Sequence, residues 1–155
     1  MIKTKRLLPI EINDLVRIGR DNDGGYVLPQ FIINLCDGLL SYGINKDWSF
    51  EKEFLKENPK VIIHSYDHTL NLFSVLLFSI KSFLLTIIHA LLFDKKRFLK
   101  SIKGIYTIID YFFFFKNKIS HFNNRIWESN IENSKTINDS LLKITSSNAK
   151  KIFVK

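Results

Sequence analysis

Apolar positions along the chain fall into three regimes. Over residues 1 to 69 they come in short runs broken by turn residues. Tyr26-Val27-Leu28-Pro29 follows Asn22-Asp23-Gly24-Gly25, residues 39 to 44 end in Asn45-Lys46-Asp47, and residues 61 to 65 lead to Asp67. Runs this short, bounded by Gly, Asn and Asp, predict strands and loops. Between the last two runs, Phe50, Phe54 and Leu55 recur at helical spacing, with Glu51 and Glu53 early, where the positive end of a helix favours acids. Pro59 stops that pattern. Strand, helix and strand within about thirty residues make a βαβ unit.

Residues 70 to 115 read as helical. Phe98, Ile102, Ile105, Ile109 and Phe112 recur at spacings of three and four, with Lys95, Lys96, Arg97, Lys100 and Lys103 off the stripe, the pattern of an amphipathic helix. Residues 70 to 93 are nearly long enough to cross a bilayer, and their ionisable groups are Lys81 and His89. Wound at 3.6 residues per turn, Asn71, Ser74, Lys81, Ser82, Thr86 and His89 fall on one side. A polar stripe favours a helix packed in a soluble protein; contact with a membrane surface and a true span are the other readings.

From residue 116 onward, Asn and Ser mark loops around two apolar patches. Thr136-Ile137-Asn138-Asp139 has the spacing of a capping box and predicts a short helix to Leu142 or Ile144; Ile152-Phe153-Val154 begins a strand.

Composition narrows this picture. A chain of 155 residues with 46% apolar content can bury a core, which argues against disorder. The single cysteine, Cys36, excludes an internal disulfide and a cysteine-based metal site, and points to a reducing compartment. The N-terminal basic residues precede only Leu7 and Leu8 before Pro9, too little for a signal peptide, so a cytoplasmic location is expected. The net charge of +8 is uneven: residues 70 to 125 hold nine Lys and Arg against two Asp and Glu. That bias suits phosphate-rich partners, an anionic membrane surface or a solvated helix face. Without a docking motif, nucleic acid is not an expected partner. His64 and His68 straddle a strand end with no acidic cluster to complete a coordination sphere, so no metal is expected.

Residues 17 to 28 (RIGRDNDGGYVL), 39 to 54 (LLSYGINKDWSFEKEF) and 61 to 69 (VIIHSYDHT) together resemble the opening of FkbM-type methyltransferases, which use S-adenosyl-L-methionine (SAM). In that family an Asp-Gly-Gly-Tyr segment precedes the first core strand, which runs into a Ser-Phe/Tyr-Gly-Ile loop and a helix bearing Ser-Phe-Glu. The resemblance implies an α/β fold with a Rossmann-like sheet, interrupted after its second strand by a long helical insertion over residues 70 to 115. It implies SAM as cofactor and a hydroxyl acceptor on a sugar, another glycan or a small molecule. It also implies that residues 1 to 155 form only part of the domain, ending before an Ile-Asp-x-Glu-Gly segment and the acceptor pocket, so that the chain alone is inactive.

Carried over by position, Gly43 and Tyr42 fall at the loop where the backbone would approach the cofactor's methionine portion, and Asp67 where an acid would accept hydrogen bonds from the ribose hydroxyls. Gly24 and Gly25 belong to the preceding glycine pair. The loop after Gly43 continues Ile44-Asn45-Lys46, where related loops carry further glycines. Local roles compete with each of these. Gly24 and Gly25 can simply turn a hairpin, and Asp67 can cap a helix starting at Thr69 or Leu70. Glu51 and Glu53 read as helix-start acids, and Trp48 and Phe50 as packing residues. No catalytic base is identifiable. An incomplete sheet would also leave an exposed edge inviting self-association.

Overall fold

The computed structural model describes residues 11–21, 25–115, 119–129 and 132–155. Strands β1 (Leu15–Ile18) and β2 (Tyr26–Pro29) form an antiparallel hairpin, and α1 (Gln30–Leu35) follows directly. The central strand β3 (Gly38–Tyr42) leads through α2 (Ser49–Glu57) to β4 (Ile62–Tyr66), which pairs with it in parallel from Gly38↔Ile62 to Tyr42↔Tyr66. Helices α3 (Leu72–Leu91), α4 (Lys95–Ile105) and α5 (Thr107–Phe114) come next, then β5 (Ile119–Phe122), which pairs with β4. Two short strands, β6 (Arg125–Ile126) and β7 (Ser134–Lys135), pair with each other; α6 (Ile137–Thr145) then leads to β8 (Ile152–Val154) on the far side of β3. The protein is therefore mixed α/β, with a four-stranded parallel sheet in the order β5-β4-β3-β8.

Both faces of this sheet are covered, which explains the continuous apolar character of β3 and β4. Neighbouring residues of β3 point to opposite faces. Leu39 packs with Phe50, Phe54, Ile63 and Ile119, whereas Leu40 packs with Tyr66, Ile144 and Ala149. Helix α6 is held at its start by the reciprocal box between Thr136 and Asp139, with Thr136 Oγ1 accepting from the Asp139 amide at 3.1 Å. A third cluster of Ile44, Trp48, Leu70 and Val75 ties the loop after β3 to the start of α3.

The helical region departs from its sequence pattern in two ways. The stripe from Phe98 to Phe112 belongs to two helices, because the chain breaks at Tyr106 between α4 and α5. In α3 the polar stripe turns toward the protein at Ser82, with Thr86 and His89 half-buried, while Lys81 stays exposed. Ser79 and Ser82 are buried on α4, and a Cβ on Gly104 would stand 2.2 Å from Ser82 Oγ. Of the 20 residues of α3 only Val75, Ser79 and Ser82 are buried, and most of its large apolar residues are exposed. Small side chains at 79, 82 and 104 let two backbones approach closely, and that contact outweighs the burial of Leu and Phe.

Candidate functional site

The chain visits β3, β4 and β5 in one direction and then returns to place β8 on the other side of β3, so the order reverses between β3 and β8. In open α/β sheets, ligands bind outside the carboxyl ends of the strands beside such a reversal. Those ends carry Gly43, Asp67 and Lys155. The ladder runs on past the strands: the Gly43 amide donates to Tyr66 O at 2.9 Å, and the Tyr42 amide to Lys155 O at 3.1 Å.

Gly43 has φ +69°, a left-handed conformation that costs glycine little, and a Cβ built there meets nothing within 4 Å. Its hydrogen is thus not demanded by protein packing, and the space above it is open. Asn45, two residues on, is also left-handed at φ +48° and donates its amide to Asp67 Oδ2 at 2.6 Å. The other carboxylate oxygen, Asp67 Oδ1, accepts from the Thr69 amide at 2.7 Å, the Thr69 hydroxyl at 2.6 Å and the Leu70 amide at 3.2 Å. Asp67 is only 6% exposed. Burial alone would raise its pKa, but the bonds from Thr69, Asn45 and Leu70 outweigh it and hold the carboxyl below its usual range. A ribose hydroxyl reaching this carboxylate would have to displace a protein donor.

The other expected site residues lie apart. Tyr42 points its hydroxyl to Ser140 Oγ of α6, 2.6 Å away. Gly25 serves the hairpin, where a Cβ would stand 2.0 Å from Arg20 O. Gly24 lies outside the described residues. The hairpin does reach the reversal through Tyr26, whose ring meets Phe50 edge-on at 5.3 Å and lies 6.0 Å from the Lys155 ammonium.

One group at the reversal has no sign in the sequence. Glu51, read there as a helix-start acid, is fully buried; its Oε1 accepts from Ser41 Oγ and pairs with Lys155 Nζ at 2.8 Å. Its other oxygen has no hydrogen-bond partner among the described residues. Lys155 in turn lies over the Phe50 ring, 4.8 Å from its centroid. Glu53 accepts from the Gly19 amide at 2.7 Å and fastens the hairpin to α2. Trp48 and Phe50 are core residues, and Trp48 Nε1 also donates to Asp110 Oδ2 at 2.9 Å, joining the loop to α5.

Beside this loop, an open cavity of about 950 Å³ separates residues 45 to 47 from α3 and α4; Arg20, Lys46, Arg97, Lys100 and Lys103 line it, with Asp47 the acid among them. On the α6 side, Tyr66 has a buried hydroxyl without a hydrogen-bond partner among the described residues, and burial, Tyr42 and Asp139 push its pKa up to about 12.

Buried His64 and half-buried His121, on the neighbouring strands β4 and β5, make the sheet sensitive to acid. Burial, aided by Lys143, holds His64 below the usual imidazole range; burial does the same at His121, against an opposing pull from Asp67. A histidine kept neutral by the fold contributes stability that is complete above about pH 6.5. That contribution is lost as pH falls through the lower folded pKa, because the unfolded chain takes the proton more readily. Asp67 acts in the same direction at lower pH. The melting temperature is expected to drop from about pH 7 to about pH 5; a flat profile over that range contradicts the assignment.

No protein-family model, no curated protein and no solved structure matches this chain.

Proposed function

We propose that this chain carries the cofactor-side half of a SAM-dependent methyltransferase of the FkbM type, whose complete form methylates a hydroxyl on a sugar or other small acceptor. The observation that carries this reading is the open, left-handed Gly43 at the carboxyl end of the central strand. It stands beside the reversal of a parallel sheet whose core strands follow the order third, second, first, fourth. That order is the one in which doubly wound sheets bind nucleotide cofactors.

The residues fit the cofactor at one point and resist it at another. Gly43 offers the unobstructed backbone approach that the methionine portion of SAM requires. Asp67 acts through its neighbours: by holding the Asn45 amide it sets the conformation of residues 43 to 48, and ribose contact would need that bond to open. The buried Ser41, Glu51 and Lys155 group fixes β3 against β8 at the crevice. Bound SAM would supply the electrophilic methyl group, and the acceptor's alignment with it would supply much of the rate.

The test is thermal stabilisation by SAM. Binding at one hundred times the dissociation constant adds about 2.7 kcal/mol of stability. Gly43→Ala is expected to fold with a strain cost of roughly 1–2 kcal/mol and to lose the shift, because its methyl group enters the open space. A parent chain that melts cooperatively yet shows no shift with SAM would sink the proposal.

A further inference from the structure

We propose that the α3–α4 hairpin is a membrane-surface element that lays the outer face of α3 into a bilayer rich in anionic lipid. This inference concerns a surface remote in chemistry from the cofactor crevice and does not depend on SAM binding.

Helix α3 has its amphipathicity reversed relative to a helix on a water-soluble core. The face toward α4 carries Ser79 and Ser82 against Gly104, and Ser79 Oγ lies 3.4 Å from Gly104 O. The outer face carries Leu77, Ile80, Phe83, Leu84, Ile87 and Leu91, each roughly half exposed or more. Packing through small residues with large apolar side chains turned outward is how helices associate where the surroundings are lipid. In water the same arrangement leaves an apolar patch far larger than a soluble surface normally tolerates. The hairpin tip continues the face, with Leu92 at 67% and Phe93 at 94% exposure.

Charge identifies the occupant. Between residues 72 and 105 there are six Lys and Arg, at 81, 95, 96, 97, 100 and 103, and one acid, Asp94. Lys95 and Lys96 follow the tip directly and are exposed, where they would meet lipid headgroups as the apolar tip enters the boundary layer. Arg97, Lys100 and Lys103 line the cavity beside residues 45 to 47, so the cations that border the apolar face are the exposed Lys81, Lys95 and Lys96, and such a border complements an anionic lipid surface.

Topology excludes a simple span. The chain leaves the sheet at β4 and rejoins the neighbouring strand β5 after α5, so α3 crossing the bilayer would require a second crossing on the way back. Helix α4 carries five of the six cations in its 11 residues and cannot provide it. The hairpin therefore lies along the interface, and α3, at 20 residues, extends about 30 Å across it.

Vesicle flotation of the full chain tests this. Vesicles of phosphatidylcholine mixed equally with phosphatidylserine are expected to carry the protein, and phosphatidylcholine alone to carry little. High salt should weaken the interaction. Lys95→Glu with Lys96→Glu should reduce partitioning on the order of tenfold or more, and Phe83→Asp, at an exposed site, should do the same. Circular dichroism confirms that each variant is folded, and the charge variant keeps the test valid if Phe83→Asp is not. Failure of the parent chain to bind the mixed vesicles overturns the proposal, as does binding indifferent to both variants. A concentration-dependent dimer that Phe83→Asp dissociates, without vesicle binding, assigns the face to a second copy and also overturns it.

Discussion

Lys155→Met is expected to destabilise the protein by about 3–5 kcal/mol, the cost of stripping a buried ion of its partner. Lys155 is 10% exposed and Glu51 is wholly buried, so the carboxylate left behind would keep only the Ser41 hydroxyl. Methionine preserves the length of the side chain and its contact with the Phe50 ring, which confines the loss to electrostatics. Glu51→Gln combined with Lys155→Met should recover most of it, since a neutral pair of similar volume carries no desolvated charge. Chemical denaturation of the parent chain and the two variants measures this directly. A single variant no less stable than the double one would show that the ion pair is not what holds β8 to α2.

The second large effect is expected at Asp67. Its carboxylate gathers four donors from Asn45, Thr69 and Leu70 around one buried point, and Asp67→Ala leaves all of them without it. Hydrogen bonds to a charged group contribute about 1.5–3 kcal/mol each. Solvent will satisfy some of the freed donors, and a net loss of roughly 3 kcal/mol follows. Asp67→Asn should fall between: its oxygen can still serve residues 69 and 70, but its amide nitrogen would face the Asn45 N–H. Amide exchange is the discriminating readout, because protection at Asn45 should fall in both variants and protection at Leu70 mainly in Ala. An alanine variant as stable as the parent would contradict the bonding described here.

These two residues mark where sequence reasoning reaches and where it stops. Asp67 is visible in the sequence as an acid closing an apolar run, with two candidate roles, ribose contact and helix cap. The structure corrects the second role: α3 starts at Leu72 and is capped by Asn71, so Asp67 closes a turn on Thr69 and Leu70 instead, and it adds the Asn45 amide, which lies 22 residues away and carries no local mark. Glu51 and Lys155 are 104 residues apart. An acid early in a helix satisfies a local rule completely, so nothing in its neighbourhood asks for a distant lysine. Strand β5 was hidden for a related reason: Ile119-Ser120-His121-Phe122 reads as polar loop until pairing with β4 supplies its partner.

What the sequence determined by itself was local. Turn residues bounded the short apolar runs around β2, β3 and β4, the Thr136 and Asp139 spacing started α6, and a run of 20 apolar-rich residues made α3 a helix. Each of these follows from backbone sterics, capping and periodicity within a few residues. The tertiary structure decided the strand order, the pairing of Glu51 with Lys155, the break at Tyr106 and the direction in which α3 turns its faces. A helical wheel separates polar from apolar positions but does not say which side meets the protein. In α3 that choice fell to the close approach that Ser79, Ser82 and Gly104 allow, and it left the apolar side outward.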